Sequence, residues 1–209
     1  MKTAPCVISV AEHAGWAHVV CVSAPRSHPV VVERRRITLI EPGLPTLPYH
    51  HDTIGMREDA ANALLARVQL SVAACTSHEL HGIVADLAAS HPAVALAIRE
   101  PTFPSLPRSV TTVWESYRLQ CAADGVMYQL ALCRAARDLG LEVHLCRRGQ
   151  EAARAAAQVG VRPEAIEKFV TSTGRPAGPP WTQEHRRAYT AGIAVLAAYA
   201  RGRLRIQAP

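Results

Sequence analysis

Hydrophobic and polar positions along the first forty residues predict three consecutive β-strands. Apolar, β-branched runs cover residues 7–11, 17–24 and 30–40, and short turn-like breaks separate them. Runs joined in this way are typical of strands that pair antiparallel with their neighbours in the chain. In the second half of the third run, charged and apolar residues alternate. This alternation is typical of an edge strand with one face in water.

The pattern then changes to helical spacing, interrupted by two further strands. Apolar residues recur at helical intervals over residues 57–89, where Ser77 is a candidate N-cap between two segments. The continuous apolar run at 93–98 predicts a strand buried on both faces. A helix is predicted over residues 114–139, and a short strand over 141–146 follows it.

The C-terminal part of the chain is predicted to be mainly helical. Two short helices are predicted over residues 149–170, a Gly/Pro loop over 171–180, and a last helix from an N-cap at Thr182. This element order predicts an α/β fold with a mixed five-stranded sheet: three antiparallel strands, then parallel strands, with helices on both faces. We expect one domain over residues 1–209 with a flexible basic tail at 202–209.

Charge and cysteine spacing narrow the classes of function. The formal net charge is +6 and only two of the 23 basic residues are lysines, Lys2 and Lys168. A basic chain favours an anionic partner such as nucleic acid, although arginine richness is also what genomic composition bias produces. The six cysteines lack metal-binding spacing and predict reduced thiols in a cytoplasmic protein. No apolar run is long enough to span a bilayer, so we expect no membrane partner.

Five short segments follow one another along the chain as a series of motifs. They are VAEHAGWA at 10–17, AIREPTF at 97–103, QCAADGV at 120–126, GLEV at 140–143 and TGRPAGPPWTQE at 173–184. In this order they resemble the RuvC-type Holliday-junction resolvases of the RNase H-like superfamily, and the resemblance covers residues 7–200. The first strand and its turn correspond to the family's I-D-x-G segment, the fourth strand to its A-I-E segment, and the final helix to its H-x-x-D-A segment.

The resemblance implies a metal-dependent, structure-selective endonuclease that acts on branched or junction DNA during recombination. It also implies branched or duplex DNA as the partner and a homodimer as the active form. Such nucleases hold two Mg²⁺ or Mn²⁺ ions between carboxylates from the first strand, the fourth strand and the last helix. By position, the residues implied as metal ligands and catalytic groups are Glu12, Glu100, Glu184 and His185.

Two departures from the family pattern favour a second hypothesis. Arg99 stands where the family has the glutamate of A-I-E, and Glu100 is displaced by one residue, which in a strand exchanges faces. Ala188 stands where the last helix has an acidic residue. These departures are expected of a catalytically degenerate RNase H-like domain that serves as a nucleic-acid-binding or protein-scaffold module. A doubly wound nucleotide-binding fold is a weaker third hypothesis, because no Gly-rich phosphate motif follows the first strand.

Two further groups are candidates for substrate contacts. His50 and His51 lie in a Pro-rich loop. There they either bind a metal, act as general bases or hydrogen-bond donors to phosphate, or are ordinary surface residues. Arginines on the third strand, after the fifth strand and around the start of the last helix are candidates for phosphate contacts, or else solvated charges. These are Arg34, Arg36, Arg147, Arg148, Arg175, Arg186 and Arg187.

Overall fold

A computed structural model describes residues 4–200 and 204–206, with the backbone alone for residues 174–176. The strands are β1 Cys6–His13, β2 Trp16–Ser23, β3 Val30–Thr38, β4 Ala93–Arg99 and β5 Glu142–Cys146. The helices are α1 Glu58–Leu87, α2 Val110–Trp114, α3 Tyr117–Asp138, α4 Glu151–Val159, α5 Pro163–Ala177 and α6 Gln183–Tyr199. A five-residue π-helix, Pro48–Asp52, precedes α1. No helix in the described part of the chain is long and apolar enough to cross a membrane.

The five strands form one mixed sheet in the order β3-β2-β1-β4-β5. β1 pairs antiparallel with β2, and β2 pairs antiparallel with β3, which lies at one edge. β1 pairs parallel with β4, and β4 pairs parallel with β5 at the other edge. The predicted fold class, a mixed sheet with three antiparallel strands followed by parallel strands, is confirmed.

The β1–β2 hairpin turns sharply at Ala14 and Gly15. Gly15 has a φ of +83°, in the left-handed region that a side chain disfavours. A β-carbon there would also lie 2.7 Å from the Thr46 side chain. Because the turn is tight, Glu12 is fixed at the C-terminal end of β1, close to the ends of β4 and β5.

Helices cover both faces of the sheet and enclose two separate cores. On one face, β1 residues such as Ile8 and Val10 pack with α1 and α3. On the other face, residues such as Val7 pack with α6, which also contacts α4 and α5. Successive side chains of β1 point into alternate cores because the side chains of a strand repeat every two residues.

Three predicted element boundaries are wrong. α1 is a single continuous helix through Ser77, because its buried face, which includes Val72 and Leu80, continues across the candidate cap. The predicted loop over 171–180 is helical as far as Ala177, where α5 ends. The predicted helix over 114–139 begins later, at Tyr117, where Ser116 accepts the N-cap hydrogen bond of α3, and Trp114 is the last residue of the separate short helix α2.

Part of the predicted flexible tail contacts the fold. Leu204 is buried in the core beneath α6, and the Arg205 amide donates a hydrogen bond to the Ser27 carbonyl at 2.7 Å. Ile206 packs against the same core, and residues 202, 203 and 207–209 of the segment lie outside the described part of the chain.

Candidate functional site

The C-terminal ends of β1 and β4 and the N-terminal half of α6 enclose a small cavity of about 70 Å³. Its floor is apolar, formed by side chains such as Ala188 of α6. Its charged residues are three glutamates and three arginines. They are Glu12, Glu151, Glu184, Arg99, Arg148 and Arg187.

An ion pair joins the two strand ends at this cavity. Arg99 Nη2 lies 2.7 Å from Glu12 Oε1, and the Glu12 side chain is only 5% exposed. Gln129 Nε2, from the buried face of α3, donates to the same oxygen at 2.7 Å. The Glu12 carboxylate is therefore neutralised by a guanidinium and hydrogen-bonded by an amide.

The second carboxylate that was predicted at this place is also paired with an arginine. Glu184, in the first turn of α6, accepts a hydrogen bond from Arg187 Nη1 at 3.0 Å. Glu12 and Glu184 line the same cavity, as the position of the motifs implied. In each case, however, an arginine of this chain neutralises the charge of the carboxylate.

Glu100 lies apart from these two carboxylates. Its side chain is paired with Arg147 at 3.2 Å and lines a different, more open cleft. Its backbone amide donates to the Cys146 carbonyl, which continues the β4–β5 pairing by one residue. Alternation along β4 places Glu100 on the α3 side of the sheet with Ile98, and Glu12 also faces α3. The one-residue offset therefore does not turn Glu100 away from Glu12. Glu100 instead turns towards Arg147, just after β5.

His185 is buried at the start of α6 and has a structural role there. Its Nδ1 accepts a hydrogen bond from the Thr182 backbone amide, which completes a capping box. Its ring lies 4.0 Å from the His18 ring and is stacked near Trp181. Burial, together with the charges of His18 and Arg34, lowers the pKa of His185 to about 4. The ring is therefore neutral at physiological pH.

The predicted ligands do not form a metal site in this structure. Across residues 4–200 and 204–206, no group of three or more His, Cys, Asp or Glu side chains could hold a metal ion. Mg²⁺ prefers several oxygen ligands with uncompensated charge. Glu12 and Glu184 are both held by arginines, and the Glu12 carboxylate has a second donor. The residues at this sheet edge therefore do not fit a divalent cation.

The histidine pair lies elsewhere, in the π-helix. Tyr49 and His50 donate their backbone amides to the Asp124 carboxylate of α3, each at 3.0 Å. Burial raises the pKa of Asp124 to about 7, although these two hydrogen bonds oppose the shift. His50 and His51 contact each other, and the His50 ring contacts Tyr117 at 4.8 Å between centroids.

A second, open cleft of about 890 Å³ adjoins the cavity and shares Arg99 and Arg148 with it. It lies between the segment after β4, the segment after β5 and one face of α3. Four arginines and a single carboxylate, Glu100, line it. The arginines are Arg99, Arg118, Arg147 and Arg148.

The other candidate arginines have mixed environments. Arg34 donates to backbone carbonyls of the 178–180 loop, including Gly178 at 3.1 Å, and Arg36 lies 4.2 Å over the Trp16 ring. Arg186 and Arg187 line a pocket beside α5. For Arg175 only the backbone is described, so the predicted phosphate contact of its side chain lies outside the described part of the chain.

Tyr117, Arg118 and Gln129, which line the open cleft, were not predicted as site residues from the sequence. The helical spacing of the sequence could have indicated two of them. Arg118, Gly125 and Gln129 recur at intervals of seven and four residues and therefore share one face of α3. The role of Asp124 carried no comparable signal, because its partners are backbone amides far away in the chain.

Comparisons with solved structures agree with this architecture. Thermus thermophilus RuvC in complex with a Holliday junction substrate matches with a TM-score of 0.55 at 12% identity, covering 95% of this chain and 97% of that chain. A second Thermus thermophilus RuvC structure matches with a TM-score of 0.52 at 11% identity, covering 94% and 96%. The chain has an RNase H-like fold of the RuvC type. Protein-family models and curated protein sequences give no match. The predicted fold resemblance is confirmed, while identity this low shows the fold alone.

Proposed function

We propose that the protein is a catalytically degenerate RuvC-like module that binds branched or duplex DNA. The observation that carries this proposal is the arrangement around Glu12. Arg99 occupies the position of a family glutamate and places its guanidinium 2.7 Å from the carboxylate that would bind metal. A fixed cation there competes directly with a divalent ion for the same oxygen.

The buried environment makes this competition effective. The Glu12 side chain is 5% exposed, and Gln129 of α3 donates a second hydrogen bond to its Oε1. Displacing the guanidinium would leave Arg99 without its partner and would require the amide to turn away. A metal ion that keeps part of its water shell gains too few oxygen ligands here to offset these losses.

DNA binding is proposed from charge and fold together. The chain carries a formal net charge of +6, and arginines outnumber carboxylates in the open cleft beside the ion pair. Arginine pairs well with phosphate oxygens because its planar guanidinium can donate two parallel hydrogen bonds. The similar RuvC structure was solved with a Holliday junction substrate.

Two further properties are proposed with this function. A DNA junction with two-fold symmetry suits a homodimer. The six cysteines are free thiols, which suits the reducing cytoplasm.

The test compares binding with cleavage on the same substrates. Fluorescence anisotropy of a four-way junction and of a matched duplex is measured over a salt series, in EDTA and in Mg²⁺ or Mn²⁺. We expect salt-dependent binding that does not require metal, with a slope that reports the phosphates neutralised. We expect no cleavage of either substrate after prolonged incubation.

Two outcomes would overturn the proposal. Metal-dependent cleavage that disappears in Glu12→Gln would restore the alternative, a metal-dependent endonuclease. Absence of binding to any DNA at low salt would leave only a role as a protein scaffold. Light scattering of the same samples reports whether the binding species is a dimer.

A further inference from the structure

The open cleft beside the ion pair combines its arginines with an aromatic side chain that the proposed function does not use. Its walls carry four arginines, and the ring of Tyr117 stands at its rim. We propose that this cleft binds a single nucleic-acid strand, with the phosphates on the arginines and one base stacked on Tyr117. This inference rests on the proposed DNA binding and names the form of DNA that the cleft accepts.

The charge of the cleft is available to a ligand. The Arg118 and Arg148 side chains are exposed and form no ion pair or hydrogen bond with any residue of the described ranges. Arg147 is shared with Glu100 at 3.2 Å, and both side chains are largely solvated. At least two guanidinium groups can therefore meet phosphates without breaking an internal pair.

The floor of the cleft keeps it open. The face of α3 that lines it carries small residues between its ends, namely Cys121, Ala122 and Gly125. The nearest atom to a β-carbon at position 125 would be Arg99 Nη2, at 3.9 Å. The cleft is therefore a trough along the helix, with Arg118 and Tyr117 at one end and Gln129 at the other.

Tyr117 is placed so that a base can stack on it. It is the first residue of α3, and it is 70% exposed despite its large ring. His50 contacts the ring at an interplanar angle of 76°, so the contact is edge-on. The π-helix that carries His50 is itself held by the buried Asp124 carboxylate. The ring is therefore positioned from one side and open to solvent.

This combination favours a single strand over a duplex. In a duplex, the base faces are already stacked on each other, so an aromatic ring beside the phosphates gains no stacking partner. In single strands, exposed bases stack on aromatic side chains while arginines follow the phosphates. An acidic protein segment would use the arginines and leave Tyr117 without a role.

The experiment uses the full-length chain and labelled oligodeoxynucleotides. The probes are a thymidine 12-mer, a 12-mer of abasic sites with the same phosphates, the duplex and the four-way junction. The variants are Tyr117→Ala, Tyr117→Phe and the double substitution Arg118→Ala with Arg148→Ala. Arg67→Ala, which removes an exposed arginine from α1, is the matched control for loss of charge.

We expect Tyr117→Ala to weaken binding of the thymidine strand about tenfold, while the abasic strand is unaffected and Tyr117→Phe behaves as wild type. The double arginine variant should weaken both strands about tenfold or more at low salt. It should also reduce the slope of the logarithm of affinity against the logarithm of salt by about 1.4, and Arg67→Ala should leave the slope nearly unchanged.

The inference is overturned if Tyr117→Ala affects the thymidine and abasic strands equally, or if Arg67→Ala matches the double arginine variant. It is also overturned if a poly-glutamate peptide binds as tightly as the thymidine strand. Unchanged junction binding in all cleft variants, without binding of single strands, would reject the cleft and leave the proposed function standing. Failure of the wild type to bind any probe would reject the proposed function itself.

Discussion

Arg99 Nη2 and Glu12 Oε1 are 2.7 Å apart, where the parallel strands β1 and β4 end side by side. The resemblance to the resolvases implies a carboxylate at each of these two positions. Here one of them is Arg99, which carries a permanent positive charge. Glu12 is therefore neutralised by a cation that is covalently part of the chain.

Removal of the Arg99 guanidinium should destabilise the fold through Glu12. In Arg99→Ala the carboxylate, only 5% exposed, keeps Gln129 as its donor but loses its counter-charge. We expect the free energy of unfolding to fall by about 1–3 kcal/mol. This is less than for a fully buried pair because the Arg99 side chain is 41% exposed. Urea denaturation measures the change.

A double-mutant cycle separates this pair from general effects at the same position. With Glu12→Gln as the second change, Arg99→Ala should cost less, because a neutral amide tolerates burial better than an unpaired charge. Additivity of the two single changes within about 0.5 kcal/mol would show that the residues do not interact energetically.

Inversion of the charge at residue 99 should allow a metal ion to bind. Arg99→Glu places a second carboxylate beside Glu12 without a counter-charge, which is unfavourable until a cation bridges them. We expect millimolar Mn²⁺ to raise the Tm of this variant in a dose-dependent manner. The wild type and the uncharged control Arg99→Gln should show no such shift. An equal shift in the wild type would mean that the guanidinium does not exclude the ion. An equal shift in Arg99→Gln would mean that removal of the guanidinium is enough and that the added carboxylate is not needed.

The strands and their succession along the chain could be predicted because hydrophobic alternation and turn residues are local features of the sequence. The three β-rich runs became β1 to β3, and the AVALAI run became the buried β4. Helix boundaries were less accurate, since tertiary packing decided them. Ser77 has a side chain suited to an N-cap, but the buried face of α1 continues past it and keeps the helix intact.

The pairing of the site residues could not be predicted from the sequence. Glu12 and Gln129 are 117 positions apart, and only the packing of α3 on the sheet brings them together. The sequence identified Arg99 as a departure from the family motif, but not as the partner of Glu12. His185 shows the same limit, because its position at N3 of α6 turns its ring towards His18 and into the helix cap.

Two buried groups should give opposite contributions to the pH dependence of stability. Asp124 has its pKa raised to about 7 in the folded state, so it binds a proton more tightly there than in the unfolded chain. Its contribution to stability therefore falls as the pH rises from about 4 to 7. His185 has its pKa lowered to about 4, so its contribution rises with pH from about 4 to 6.5. In the wild type, the two slopes largely cancel.

Single substitutions should reveal each slope. His185→Gln keeps a capping-box side chain at N3 but removes the titrating ring, so unfolding free energy should fall between pH 4 and 7. Asp124→Asn should show the reverse slope, a rise between pH 4 and 6.5. Each change should be on the order of 1–3 kcal/mol across its window, measured by urea denaturation at several pH values. Parallel profiles for both variants and the wild type would contradict these assignments.

The closest approach of α6 to the sheet should make Gly192 intolerant of any side chain. A β-carbon there would lie 2.5 Å from both Ser9 Oγ and Val22 Cγ2, which belong to β1 and β2. Gly192→Ala should therefore destabilise the fold by about 1–3 kcal/mol, although alanine is the better helix former.

Gly82→Ala in α1 is the matched control, because no atom lies within 4 Å of its β-carbon. It should be stabilising by up to about 1 kcal/mol in urea denaturation. Equal responses at the two positions would show that α6 can move away from the sheet at little cost. The cavity between Glu12 and Glu184 would then be less rigid than the packing of Gly192 implies.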